Sequence, residues 1–122
     1  MTPEAQRIAI AEACGWKNLE VGEGITGYHD TVVATNMFGQ QVPLRYYIPD
    51  YLNDLNAMHE AEKILDVNQQ ITFALLLTEP VRDSVYDVMP YDLHFPVCFP
   101  AIHAAAAQRA EAFLKALNLW QP

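Results

Sequence analysis

Basic residues, serine and cysteine are all scarce in this chain of 122 residues. Seven Lys and Arg stand against 15 Asp and Glu, so the formal net charge is 7 − 15 = −8. The clustered cations that a protein coating DNA or RNA needs are missing. Ser84 is the lone serine, and it sits in Val81-Arg82-Asp83-Ser84-Val85 rather than on a glycine-flanked nucleophile elbow. Cys14 and Cys98 make no disulfide framework. Each lies among apolar neighbours, which reads as two buried, inert thiols in a reducing cytoplasm. No apolar run approaches the roughly 20 residues that cross a bilayer. The opening MTPEAQRIAIAEACGW carries an early acid and no basic start, apolar centre or small-residue cleavage site, so a secretory signal is not expected.

The sparse chemistry extends to metals and phosphate loops. His59-Glu60 resembles the start of a zinc-protease helix, but position 63 is lysine where a second histidine belongs. His94, Cys98 and His103 are separated by Pro96 and Pro100, which break the helix that would align them. Gly22-Glu23-Gly24 lacks a later glycine, and its acid repels phosphate. Paired carboxylates such as Glu60 with Glu62, or Asp83 with Asp87, read as surface acids. No metal, no cofactor and no enzymatic activity are expected.

What the chain does have is apolar material: 52% hydrophobic against 18% charged residues, enough to form a core. Thr2-Pro3 reads as an N-cap with proline at the first helical position, opening a helix that stops at Gly15. A second helix is expected from Asp50, with Leu52, Leu55, Met58, Ala61 and Leu65 as its apolar stripe. A third runs from about Ala101 to Leu119, turning Ala106, Ala110, Phe113, Leu114 and Leu117 inward. Thr31–Thr35 and Val42–Tyr47 read as strands of a hairpin, with Gly39 available for positive φ. The continuous apolar run Ile71–Leu77 suggests a strand covered on both faces, and Ser84–Met89 suggests another. The expectation is a single α+β domain over residues 1–122, a small antiparallel or mixed sheet with helices packed on it in an α-β-α sandwich-like arrangement.

Binding-type residues concentrate in Leu44-Arg45-Tyr46-Tyr47-Ile48-Pro49-Asp50-Tyr51, which joins a guanidinium, three tyrosines and an expected helix start. Arginine beside helix amides holds phosphate, and tyrosine stacks on a base and reaches a ribose hydroxyl. Alternation along the strand also predicts that Tyr46 or Tyr47 is core, and Arg45 has the alternative of pairing with a surface acid. Arg109 stands among small alanines that leave room for a ligand or a partner, with a solvated helix face as the alternative.

Three blocks of the chain are familiar. Ile10-Ala11-Glu12-Ala13-Cys14-Gly15-Trp16-Lys17, the stretch Ile48-Pro49-Asp50-Tyr51-Leu52-Asn53-Asp54-Leu55-Asn56-Ala57-Met58-His59-Glu60-Ala61-Glu62-Lys63, and Ala107-Gln108-Arg109-Ala110-Glu111-Ala112-Phe113-Leu114-Lys115-Ala116-Leu117 resemble small phage and prophage proteins of the phage ABA sandwich type. The likeness covers about a third of the chain and leaves Val21 to Tyr47 unmatched. It implies a phage-encoded sandwich made in the bacterial cytoplasm. Proteins of similar size and architecture include Thoeris anti-defence sponges, oligomers with pockets between protomers that bind cyclic ADP-ribose signals and, in some cases, cyclic oligonucleotides. The resemblance therefore implies a homo-oligomeric anti-defence protein that sequesters a cyclic nucleotide without cleaving it. Arg45, Tyr47, Asp50, Asn53 and Arg109 are the expected ligand-binding residues, with no nucleic acid or membrane as partner. The alternative is an acidic phage inhibitor that binds a host defence protein directly, as an acidic surface imitates a phosphate backbone.

Overall fold

In the computed structural model, which describes residues 1–78 and 104–122, the chain opens with helix α1 (Pro3–Ala13). Its start follows the expected chemistry: Thr2 Oγ1 accepts from the Ala5 N–H at 3.1 Å, and Pro3 occupies the first helical turn. Cys14 caps the other end and Gly15 takes φ 97°, a left-handed conformation that suits glycine.

Three antiparallel strands follow in the order β1 (Lys17–Val21), β2 (Ile25–Thr35), β3 (Gln41–Tyr47). The expected hairpin is β2–β3. Asn36 Oδ1 closes its turn by accepting from the N–H groups of Phe38 and Gln40, and Gly39 adopts φ 77°. Strand β1 is an addition to the sequence reading; it pairs only with the first residues of β2, Ile25 to Tyr28. Tyr46 and Tyr47 are 60% and 59% exposed, so neither is core, contrary to the expected alternation. Among the described residues β3 is an edge strand, and six of its seven residues are exposed.

The helical half differs more from expectation. Helix α2 (Leu55–Glu62) starts later than Asp50, because Asp54 is the residue whose carboxylate accepts from the N–H groups of Asn56 and Ala57. Residues 51–53 form a turn instead. The run expected as a buried strand, Ile71–Leu77, belongs to helix α3 (Val67–Thr78). Its cause is a reciprocal cap: Gln69 N–H donates to Asp66 Oδ1 at 2.8 Å while Asp66 N–H donates to Gln69 Oε1 at 2.9 Å. Two orphan donors of the first turn are satisfied, and apolar content alone does not distinguish helix from strand. Helix α4 (Ala106–Ala116) buries Ala106, Ala110, Phe113 and Leu114 as expected. The expected strand Ser84–Met89 lies outside the described residues.

One buried cluster gathers Ile10, Trp16, Ile25, Ile48, Met58, Leu65, Phe73, Leu77, Phe113 and Leu114, so helices and sheet share a core. The described residues thus make an α+β fold with an antiparallel sheet. Ala104, Ala106 and the partly buried Trp120 pack within this chain.

The tie across the helices is ionic. Arg109 on α4 grips Glu62 on α2 with two parallel bonds, Nε to Oε1 at 2.5 Å and Nη2 to Oε2 at 2.8 Å. Its guanidinium also lies 5.3 Å from the centre of the Phe73 ring on α3. Side-chain exposures of 9% and 14% put the pair in the interior, so Glu62 is not the surface acid the sequence suggested. Arg109→Met is expected to destabilise the fold by about 3–5 kcal/mol in urea titration, because it leaves a largely buried carboxylate with only the His59 ring, 3.3 Å away, as its side-chain partner among the described residues. Adding Glu62→Leu to that variant should restore most of the loss. A loss under about 1 kcal/mol for the single variant would mean a screened pair that holds nothing together.

Candidate functional site

A cleft of about 260 Å³ opens where three loops or helix ends meet. The start of α1 supplies Glu4 and Arg7, the β1–β2 turn supplies Gly22, Glu23 and Gly24, and the turn after β3 supplies Asp50, Leu52 and Asn53. Local bonds shape each contributor. Gly22 N–H donates to Gly24 O at 2.9 Å, which tightens the β1–β2 turn. The backbone N–H groups of Asn53 and Asp54 both donate to Asp50 O, and the Asn53 side-chain amide reaches both Asp50 carboxylate oxygens at 3.2 and 3.1 Å. Asp50 and Asn53 are therefore one unit, presenting a carboxylate oriented by an amide.

Arg7 faces that unit. Its Nε is shielded from solvent, donates no hydrogen bond, and lies 3.7 Å from Asp50 Oδ1, beyond hydrogen-bond reach. A buried donor without a partner is worth about 1–3 kcal/mol to whatever acceptor satisfies it. Sequence reasoning missed Arg7, although it is the only basic residue of α1. Tyr47 lies beside the same cleft. Its ring sits over Gly24, where any Cβ would fall 2.8 Å from Tyr47 Cε1, so glycine at 24 is what lets the ring lie there.

Three of the five expected ligand residues, Tyr47, Asp50 and Asn53, thus share one neighbourhood. The two arginines do not join them. Arg45 donates to Thr26 O, Thr26 Oγ1 and Asn18 O, lies 4.7 Å from the Tyr28 ring centre and stands 3.7 Å from Glu20. It stitches β1 to β2 and pairs with a surface acid. Arg109 is held by Glu62, and any ligand anion must first displace that carboxylate.

Glu4, Glu23 and Asp50 give the cleft three carboxylates against the single Arg7 guanidinium. Such a lining repels phosphate and favours hydroxyl or ammonium groups, which donate hydrogen bonds to carboxylates. No group of three metal-ligating side chains occurs among the described residues, and none of their helices is long and apolar enough to cross a membrane.

Next in sequence to the cleft residue Asp50, Tyr51 is 3% exposed and interacts with the half-buried Cys14 thiol. Burial raises the thiol above its ordinary value of 9.0, while the bond from Tyr51 pulls it partly back. A protonated thiol is a poor nucleophile. Burial, then proximity and hydrogen bonding to Cys14, likewise push the Tyr51 hydroxyl well above its usual range. His29 donates from Nε2 to Cys14 O at 2.9 Å and accepts from Thr31 N–H at Nδ1, which fixes one neutral tautomer.

Both raised groups hold protons in the folded chain that the unfolded chain releases at high pH. Unfolding therefore releases protons, and stability should fall as pH rises above about 9. Urea titrations at neutral pH and at pH 10 check this, with Tyr51→Phe expected to flatten the decline. Stability that is constant or rising across that range would contradict it.

The chain matches no family model, no curated protein and no solved structure.

Proposed function

We propose that the protein is a ligand-binding module that sequesters a ribose-bearing cyclic nucleotide, and that it serves a phage as an anti-defence sponge for cyclic ADP-ribose signals. The ligand half of this reading is carried by one observation: Arg7 Nε is buried without a hydrogen bond, 3.7 Å from Asp50, in a cleft where Asn53 orients the Asp50 carboxylate. A carboxylate beside a donor is the arrangement that grips ribose, the acid accepting from hydroxyls and the guanidinium donating to one. Tyr47 offers an exposed ring for the base at the margin. The three carboxylates oppose the ligand's phosphates, so the reading requires the ribose edge to enter first with the phosphates turned toward solvent. The phage and anti-defence half rests on the likeness of the three helical blocks.

A second reading is the acidic inhibitor of a host defence protein. It is favoured by the exposed acids Glu4, Glu12, Glu20, Glu23 and Asp30 on and around α1 and the sheet. Such a surface binds a basic partner in a salt-sensitive way.

Filtration of the purified protein with cyclic ADP-ribose isomers and cyclic di- and trinucleotides separates the readings. The sponge reading expects depletion of one ligand from the filtrate and its intact release after heat denaturation. Arg7→Ala and Asp50→Ala should each weaken that binding at least about tenfold, the size of one or two lost hydrogen bonds to charged groups. Chemical change of the ligand would mean an enzyme. No depletion, or affinities within a factor of two for both variants, would overturn the reading and leave the inhibitor.

A further inference from the structure

Gly24 has no conformational reason to be glycine. Only Gly15 and Gly39 hold a positive φ, so a left-handed backbone is not what keeps glycine at position 24. Its neighbour in the same turn, Gly22, meets nothing within 4 Å on gaining a Cβ. A Cβ at Gly24 meets one side chain alone, Tyr47, at 2.8 Å from Cε1 and 2.9 Å from Cδ1. The missing methyl group makes room for that ring.

Little else positions the ring. Tyr47 is 59% exposed, and the Tyr46 ring stands 6.3 Å away with its plane turned by 71°. The stem is rigid by contrast. Tyr47 pairs with Thr26 in the β2–β3 ladder, and the next N–H, that of Ile48, donates to Ile25 O at 2.9 Å. The result is an aromatic ring on a fixed backbone, its Cδ1–Cε1 edge resting on a glycine and more than half of its surface open. A ring held in this way stacks on a planar base with little further ordering.

The turn beneath the ring belongs to the cleft: Gly22 to Ile25 line it together with Arg7, Asp50 and Asn53. Resting on the reading of that cleft as a ribose site, we infer that Gly24 is the positioning residue that makes the site select a nucleoside over a bare sugar. The polar groups hold the ribose, and Gly24 keeps Tyr47 where the attached base stacks. Gly24 acts on the ligand only through Tyr47.

Adenosine and methyl β-D-ribofuranoside, two uncharged ligands that share the ribose and differ in the base, test this by NMR titration. The unmodified chain should bind adenosine at least about fivefold more tightly, the low end for one stacked base. Gly24→Ala and Tyr47→Ala should each bring that ratio below about twofold, while Tyr47→Phe keeps it. Gly24→Ala combined with Tyr47→Ala should lower the ratio no further than Tyr47→Ala alone. Circular dichroism checks each fold, which Gly24→Ala should retain because the new methyl meets only the end of a flexible side chain. Equal affinity of the unmodified chain for the two ligands, a ratio unmoved by Gly24→Ala, or a further fall in the double variant would overturn the inference and leave the ribose reading standing. Binding of neither ligand would overturn both.

Discussion

The buried grip of Arg109 on Glu62 organises the helical half, because two charges removed from water must be matched to each other or pay for their desolvation. In this chain they are matched by two parallel bonds, and the planar guanidinium accepts only a narrow range of geometries. That requirement sets how α4 lies against α2. The ring of Phe73 beneath the guanidinium brings α3 into the same arrangement. Around this tie the remaining packing is ordinary and apolar: Met58, Phe113 and Leu114 are fully buried beside it. An arginine used in this way is withdrawn from ligand chemistry, and that shifts attention to the other end of the molecule.

There the constraints are local. The Thr2-capped start of α1, a two-glycine turn and the Asp50–Asn53 turn meet at the cleft. Each contributor is stiffened by its own hydrogen bonds, so Arg7 and Asp50 face each other at 3.7 Å. The gap is too long for a hydrogen bond and leaves the arginine donor for a third group. A hydroxyl placed there would complete a bond that Arg7 Nε lacks in the free chain. The surplus of carboxylates would favour donors there and turn anions outward under the proposed reading.

Much of the fold was legible because its signals are short-range. Thr2-Pro3, Gly15, Asn36 and Gly39 are punctuation marks whose chemistry acts within four residues, and the structure uses each where it stands. The stripe of α4 was legible from its period. Where the reading went astray, a second local signal was overlooked: Asp66 and Gln69 cap a helix that Ile71–Leu77, read as an apolar run alone, suggested was a strand. Asp54 similarly outcompeted Asp50 as the start of α2, because Asp50 was already engaged with Asn53. The candidate site was half legible. Tyr47, Asp50 and Asn53 are near one another in sequence and meet at or beside the cleft. Arg7 is over forty residues from Asp50, and Arg109 and Glu62 are equally remote from each other. Tertiary pairing of that kind leaves no trace in spacing, so which arginine is free and which is locked had to come from the structure.

The most direct test of the account is an amide chemical-shift map of the isotopically labelled chain, titrated with the ligand that filtration selects. The account expects shifts concentrated at Arg7, Gly22 to Ile25, Tyr47 and Asp50 to Asn53, with α4 around Arg109 unmoved. Shifts centred on Arg109 and Glu62 would contradict it, since they would mean that the buried pair opens to receive the ligand.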